Sequence, residues 1–134
     1  MSGDTRWKQR FANYEKAFGE LSAAVARGSY DKLSQAGLIQ MFELTFELAW
    51  KTLKDKLEYE GLAVTYPRDT IQMAFQKGAI RNGGLWIEAL DNRNLLAHTY
   101  DEAKSNEARD LIRGKYFQLL KDLYEYLKKE SASK

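Results

Sequence analysis

Arg93, Asn94, His98 and Tyr100 fall within the eight residues Arg93-Asn94-Leu95-Leu96-Ala97-His98-Thr99-Tyr100, and His98 is the only histidine of the 134-residue chain. Imidazole is the one side chain whose ordinary pKa lies near neutrality, so acid–base chemistry at pH 7 falls to His98 first. In phosphodiester chemistry His98 would exchange a proton with a ribose hydroxyl or leaving oxygen. Arg93 would hold phosphate oxygens bidentately as charge develops. Asn94 or Asp91 would orient the imidazole. The same residues also fit a bland arrangement, with His98 half-buried and bonded to Asn94 or Asp91, and Arg93 in an ordinary surface pair. Arg-x4-His is short, and spacing alone leaves both readings open.

A helix from Leu85 to about Tyr100 would carry these residues. At about 100° per residue, Trp86, Leu90 and Ala97 share one stripe with Ile87 beside it. Asp91, Asn94 and His98 fall on one shoulder of that stripe. Arg93 and Tyr100 fall on the other, about 140° away. Groups this far apart on one helix do not converge easily on one phosphate, whereas a two-fold contact through the helix would bring two copies together. A homodimer with a composite cleft is therefore expected.

Around this helix the apolar residues recur at three and four, and the pattern contains almost no strand. A first helix is predicted from about Trp7 to Ala26, with Phe11, Tyr14, Phe18, Leu21 and Val25 on one stripe. A second runs from about Gln35 to Glu60, with Leu38, Met41, Phe42, Thr45, Leu48, Ala49, Thr52, Leu53 and Leu57 inward. Pro67, whose fixed φ suits a first helical position, opens a short helix ending at Gly78. The last runs from about Ser105 to Lys129, with Ala108, Leu111, Ile112, Tyr116, Leu119, Leu120, Leu123, Tyr126 and Leu127 inward. The expected fold is all-α, an antiparallel four-helix bundle with an additional short helix, in one domain spanning 1–134.

Composition narrows the function classes. Cysteine is absent, which excludes disulfides, thiolate metal sites and a cysteine nucleophile. With 21 Lys and Arg against 19 Asp and Glu, the net charge of +2 argues for no extended nucleic-acid face. The polar start, Met1 to Arg6, and the lack of a long apolar run predict a cytoplasmic protein with no membrane contact.

The octapeptide resembles the Arg-x4-His-x-Tyr motif of the HEPN (higher eukaryotes and prokaryotes nucleotide-binding) superfamily. The segment Phe42-Glu43-Leu44-Thr45-Phe46-Glu47-Leu48-Ala49-Trp50-Lys51-Thr52-Leu53, with Tyr66-Pro67-Arg68 and Ala97 to Asp101, is similar to the branch called nucleotidyltransferase substrate-binding proteins. The resemblance implies a homodimeric bundle partnered by a small, separately encoded nucleotidyltransferase in a toxin–antitoxin-like pair. It implies metal-independent RNA cleavage by Arg93 and His98, with Asn94 as the polar residue after the arginine, and silencing by AMPylation of Tyr100. It equally implies an alternative, a non-catalytic subunit that presents substrate to the nucleotidyltransferase or regulates it.

Other residues carry weaker signals. Glu43 and Glu47 are one turn apart, a spacing that can hold a metal. A carboxylate-bridged centre, however, would want a Glu-x-x-His, and the residue three before His98 is Leu95. No metal or cofactor is expected. Glu47 can simply pair with Lys51 along the helix, and Glu43, Glu47 and Trp50 can line a partner interface. Trp7, Trp50 and Trp86 could stack on bases, although Trp86 lies on the core stripe. Lys104, Arg109, Arg113 and Lys115 give the last helix a basic character, which Glu102, Glu107 and Asp110 interrupt.

Overall fold

The computed structural model describes residues 3–96 and 101–133, with the side chains of residues 94–96 outside that description. The regular elements among the described residues are all helices: α1 (Gly3–Val25), α2 (Lys32–Tyr59), α3 (Pro67–Gln76), α4 (Gly83–Leu96) and α5 (Glu102–Leu111). A π-helical turn (Ile112–Tyr116) joins α5 without a break to α6 (Phe117–Ala132). Long helices α1, α2, α4 and the continuous α5–α6 form the bundle, and α3 is the additional short element.

Local chemistry sets the boundaries. Asp31 caps α2 reciprocally with Ser34: the Ser34 amide donates to Asp31 Oδ1 (2.7 Å) and the Asp31 amide to Ser34 Oγ (2.9 Å). That cap starts α2 three residues ahead of the predicted Gln35. Gly61 and Gly78, with φ of 89° and 79°, follow α2 and α3 and let the chain reverse. The Leu62 amide then reaches Leu57 O (2.9 Å) and the Ala79 amide reaches Ala74 O (2.9 Å). Asp101 caps α5, accepting from the Lys104 amide at 3.2 Å.

The core is aromatic. Phe18 of α1 stacks on Tyr124 (centroids 4.9 Å apart) and Phe117 (5.5 Å) of α6, and the buried Tyr14 hydroxyl donates to Leu120 O at 2.6 Å. On the other side of α2, Phe46 meets Trp86 of α4 (5.6 Å), and Phe42 stacks on Tyr116 of the π turn (5.7 Å). Buried positions on α2 depart from the predicted stripe: Ile39, Phe46 and Trp50 are added, while Met41 and Leu48 are only partly buried. This helix is covered on several sides, by α1, α3, α4 and α5–α6.

One buried cation ties three helices. Lys56 of α2 holds Glu60 (2.6 Å) and Glu130 (3.1 Å), and its ammonium lies 5.6 Å from the ring centres of both Trp7 and Tyr126. Desolvation, the largest single influence, lowers its pKa, but the bonds to Glu60 and Glu130 outweigh it and leave the group raised.

Candidate functional site

Three consecutive residues of α4 fan out to three different elements. Asp91 accepts from Arg68 Nη2 of α3 (2.6 Å), Asn92 Nδ2 donates to Tyr116 Oη in the π turn (2.7 Å), and Arg93 Nη1 donates to Glu47 Oε2 of α2 (3.1 Å). Residues one apart on a helix point about 100° away from each other, which is why each finds its own neighbour. Trp86, Ala89 and Leu90 form the buried stripe between them.

Arg93 therefore stands at the α2–α4 boundary, about one-third exposed. Glu47 is shared, since its other oxygen lies 3.5 Å from Lys51 Nζ, the pairing expected along the helix. Among the described residues Arg93 Nε and Nη2 have no hydrogen-bond acceptor. Beside Glu47, Glu43 is half-buried, and desolvation raises its carboxyl above the usual range. Asn94 lies within α4, but its side chain, together with His98 and Tyr100 altogether, falls outside the described residues. Asp91, a candidate to orient the imidazole, is engaged by Arg68.

The tryptophans are packing residues. Trp7 and Trp86 are 2% and 1% exposed, and Trp7 Nε1 donates to Asp4 Oδ1 at 3.1 Å, so neither offers a face to a base. Their apolar area is in the core. Trp50 is 8% exposed, and its Nε1 is the one buried side-chain nitrogen or oxygen among the described residues without a partner. The basic residues of the last helix divide: Lys104, Arg113 and Lys115 are exposed, whereas Arg109 reaches inward to Gln35.

A polar trio beside Arg93 escapes the sequence reading. Tyr116 is fully buried, donates to Glu88 Oε2 (2.8 Å) and accepts from Asn92. Burial first, then the hydrogen bond and charge of Glu88, push its phenol up to about 12 against the lowering bond from Asn92. The trio exists because the π turn aims Tyr116 at α4, and such turns often mark functional regions. The signal in the sequence is the unbroken spacing of four at Ala108, Ile112, Tyr116 and Leu120. A regular helix cannot keep that spacing on one face without drifting.

Residues 9–129 match the family described as nucleotidyltransferase substrate binding protein like. The chain belongs to this family. It is similar to the Probable ribonuclease HepT of Haemophilus influenzae, with 33% identity over 75 residues. That match covers 52% of this chain and 51% of the relative, so it spans about half the length of that curated protein. A crystal structure of a Thermus thermophilus protein shares the fold, with a TM-score of 0.77 and 31% identity over 86% of this chain and 98% of that one. The family match and this relative together support the HepT-like HEPN branch for the chain. Among the described residues, no helix is long and apolar enough to cross a membrane, and no three His, Cys, Asp or Glu side chains are grouped to hold a metal ion.

Proposed function

We propose that this chain is a HEPN-type ribonuclease paired with a small, separately encoded nucleotidyltransferase in a toxin–antitoxin-like system. The observation that carries the reading is Arg93. It is the first residue of an Arg-x4-His-x-Tyr motif in a family member similar to a probable ribonuclease, and its guanidinium stands about one-third exposed at the boundary between α2 and α4. In this mechanism His98 transfers the proton at the scissile phosphodiester, Arg93 binds the phosphate oxygens as charge builds, and Asn94 orients the reacting groups. Two copies of α4 in a homodimer line the cleft. AMP attached to Tyr100 delivers an anionic group to Arg93 and occupies the site without unfolding it.

The test is cleavage of transfer RNA and single-stranded RNA by the pure chain in the presence of EDTA. His98→Ala and Arg93→Ala each lower the rate by about 10²-fold or more while melting like wild type. No cleavage over a broad RNA panel, or an active His98→Ala variant, overturns the reading. Intact mass after co-expression with the nucleotidyltransferase tests the switch: an AMP increment on wild type that is absent from Tyr100→Phe supports it, and an equal increment in both removes Tyr100.

The family description favours a second reading, a non-catalytic subunit that presents substrate to the nucleotidyltransferase. Glu43, Glu47 and Trp50 then belong to the contact between the two proteins. Loss of complex formation in Glu43→Lys or Glu47→Lys, with no ribonuclease activity in wild type, would select it.

A further inference from the structure

Between the start of α2 and the first turns of α5 lies an open cleft of about 750 Å³, a volume in the range of small-molecule sites. Its walls are joined by one hydrogen-bonded set. Gln35, only 7% exposed, donates from Nε2 to Ser105 Oγ (2.8 Å) and Asn106 Oδ1 (2.9 Å), and accepts at Oε1 from Arg109 Nη1 (2.9 Å). Arg109 Nε is engaged by Asp110 at 3.0 Å. Two donors are left over, since Asn106 Nδ2 and Arg109 Nη2 bond to no described residue. In the same lining, Tyr30 is fixed by its hydroxyl on Ala24 O (2.6 Å), with Arg113 5.2 Å from its ring centre.

Unused donors held by a rigid network call for acceptors. Asp31 and Glu102 share the lining with Lys32 and Arg109, so its charges balance and it has no excess of cations to select a bare phosphate. An uncharged planar group with carbonyl acceptors, set beside a fixed aromatic ring, matches a nucleobase, as single-stranded RNA presents it. The cleft also adjoins the motif in the chain, because α5 begins at Glu102, two residues after Tyr100.

We propose that this cleft is a base-recognition subsite for single-stranded RNA, taking one carbonyl-bearing base, uracil or guanine, through Asn106 and Arg109. The proposal rests on the RNA reading above and adds a specificity element to it.

The test is fluorescence anisotropy of the full chain with short, labelled, 2′-O-methylated oligo(U) and oligo(A), which the protein cannot cleave. Oligo(U) binds at least about fivefold more tightly than oligo(A), the scale of one hydrogen bond. Asn106→Ala and Arg109→Lys abolish that preference, and Arg93→Ala weakens both oligomers equally. The NMR signals of the Gln35 side-chain amide persist in Asn106→Ala, which reads the fold independently. Variants that keep the wild-type preference overturn the subsite, as does a wild type with no measurable affinity for either oligomer. If the wild type shows the preference yet cleaves no RNA, the ribonuclease reading fails and the subsite stands. If it cleaves RNA and both variants keep its KM and base preference, the subsite alone fails.

Discussion

Replacing Tyr116 by Phe removes one oxygen and keeps the ring stacked on Phe42. The loss is one bond to the Glu88 carboxylate and one from the Asn92 amide. A bond to a charged group contributes about 1.5–3 kcal/mol and a neutral one about 0.5–1.5 kcal/mol when buried throughout. Here Glu88 and Asn92 are each half-buried, so water replaces the lost partner on both. The expected cost is about 1–2 kcal/mol. At this chain length that lowers Tm by about 3–8 °C. Calorimetry and urea denaturation at pH 7 measure it. A change under about 0.5 kcal/mol would refute the bonded geometry, and a cost above about 4 kcal/mol would mean that the hydroxyl holds the π turn itself. The same variant has an alkaline signature. The phenol is raised to about 12 in the fold, against about 10 unfolded, so its stabilisation is intact below about pH 10 and is lost between about pH 10 and 12 at about 1.4 kcal/mol per pH unit. Over that window the loss, about 2.7 kcal/mol, exceeds the hydroxyl's contribution, so the stability difference between wild type and Tyr116→Phe should shrink and then reverse sign before about pH 12. A difference that stays flat through it refutes the assignment.

Lys56→Met keeps the buried stem and gives up contacts to two half-exposed carboxylates, so its cost in urea stays below about 1.5 kcal/mol. Lys56→Ala also empties the space that the stem fills and costs about 2–4 kcal/mol, and the opposite ranking would refute the packing role. Glu47→Gln changes stability by less than about 1 kcal/mol because both partners of Arg93–Glu47 are over one-third exposed or close to it. In the ribonuclease assay it lowers KM by freeing Arg93 for phosphate, and a raised KM with reduced kcat would instead make Glu47 the residue that positions the guanidinium.

Spacing of three and four made the helices legible, and Gly61 and Gly78 marked where α2 and α3 stop. The first turn of α1 was hidden, since Gly3-Asp4-Thr5-Arg6 carries no apolar residue. Asp4 extends the helix by holding Trp7 Nε1 and Lys8. The chemistry-bearing octapeptide could be read from residue types alone, but its surroundings could not. The partner of Arg93 is 46 residues away on α2 and that of Asn92 is 24 residues ahead, and one helix's periodicity says nothing about its neighbours. Gln35 was equally opaque. It is buried near the start of α2, and only the positions of Ser105, Asn106 and Arg109 explain a buried amide there.

The π turn acts as a phase adjuster. A helix running straight from Glu102 to Ala132 would present one continuous face, yet Ser105 and Arg109 are keyed to Gln35 at the start of α2, while Leu120 and Tyr124 are keyed to α1. The wide turn at Ile112–Tyr116 supplies the angular offset between these two engagements. Gly114 sits inside it with nothing within 4 Å of where a side chain would begin, so the offset is not set by steric crowding there. Winding the same five residues as regular α-helix would rotate its two halves by about 100° relative to each other, whereas deleting one residue there would restore the regular helix and keep both halves near their present orientation. Regularised at unchanged length, only one half could stay in register, and either the cleft at the start of α2 or the aromatic seam with α1 would have to come apart.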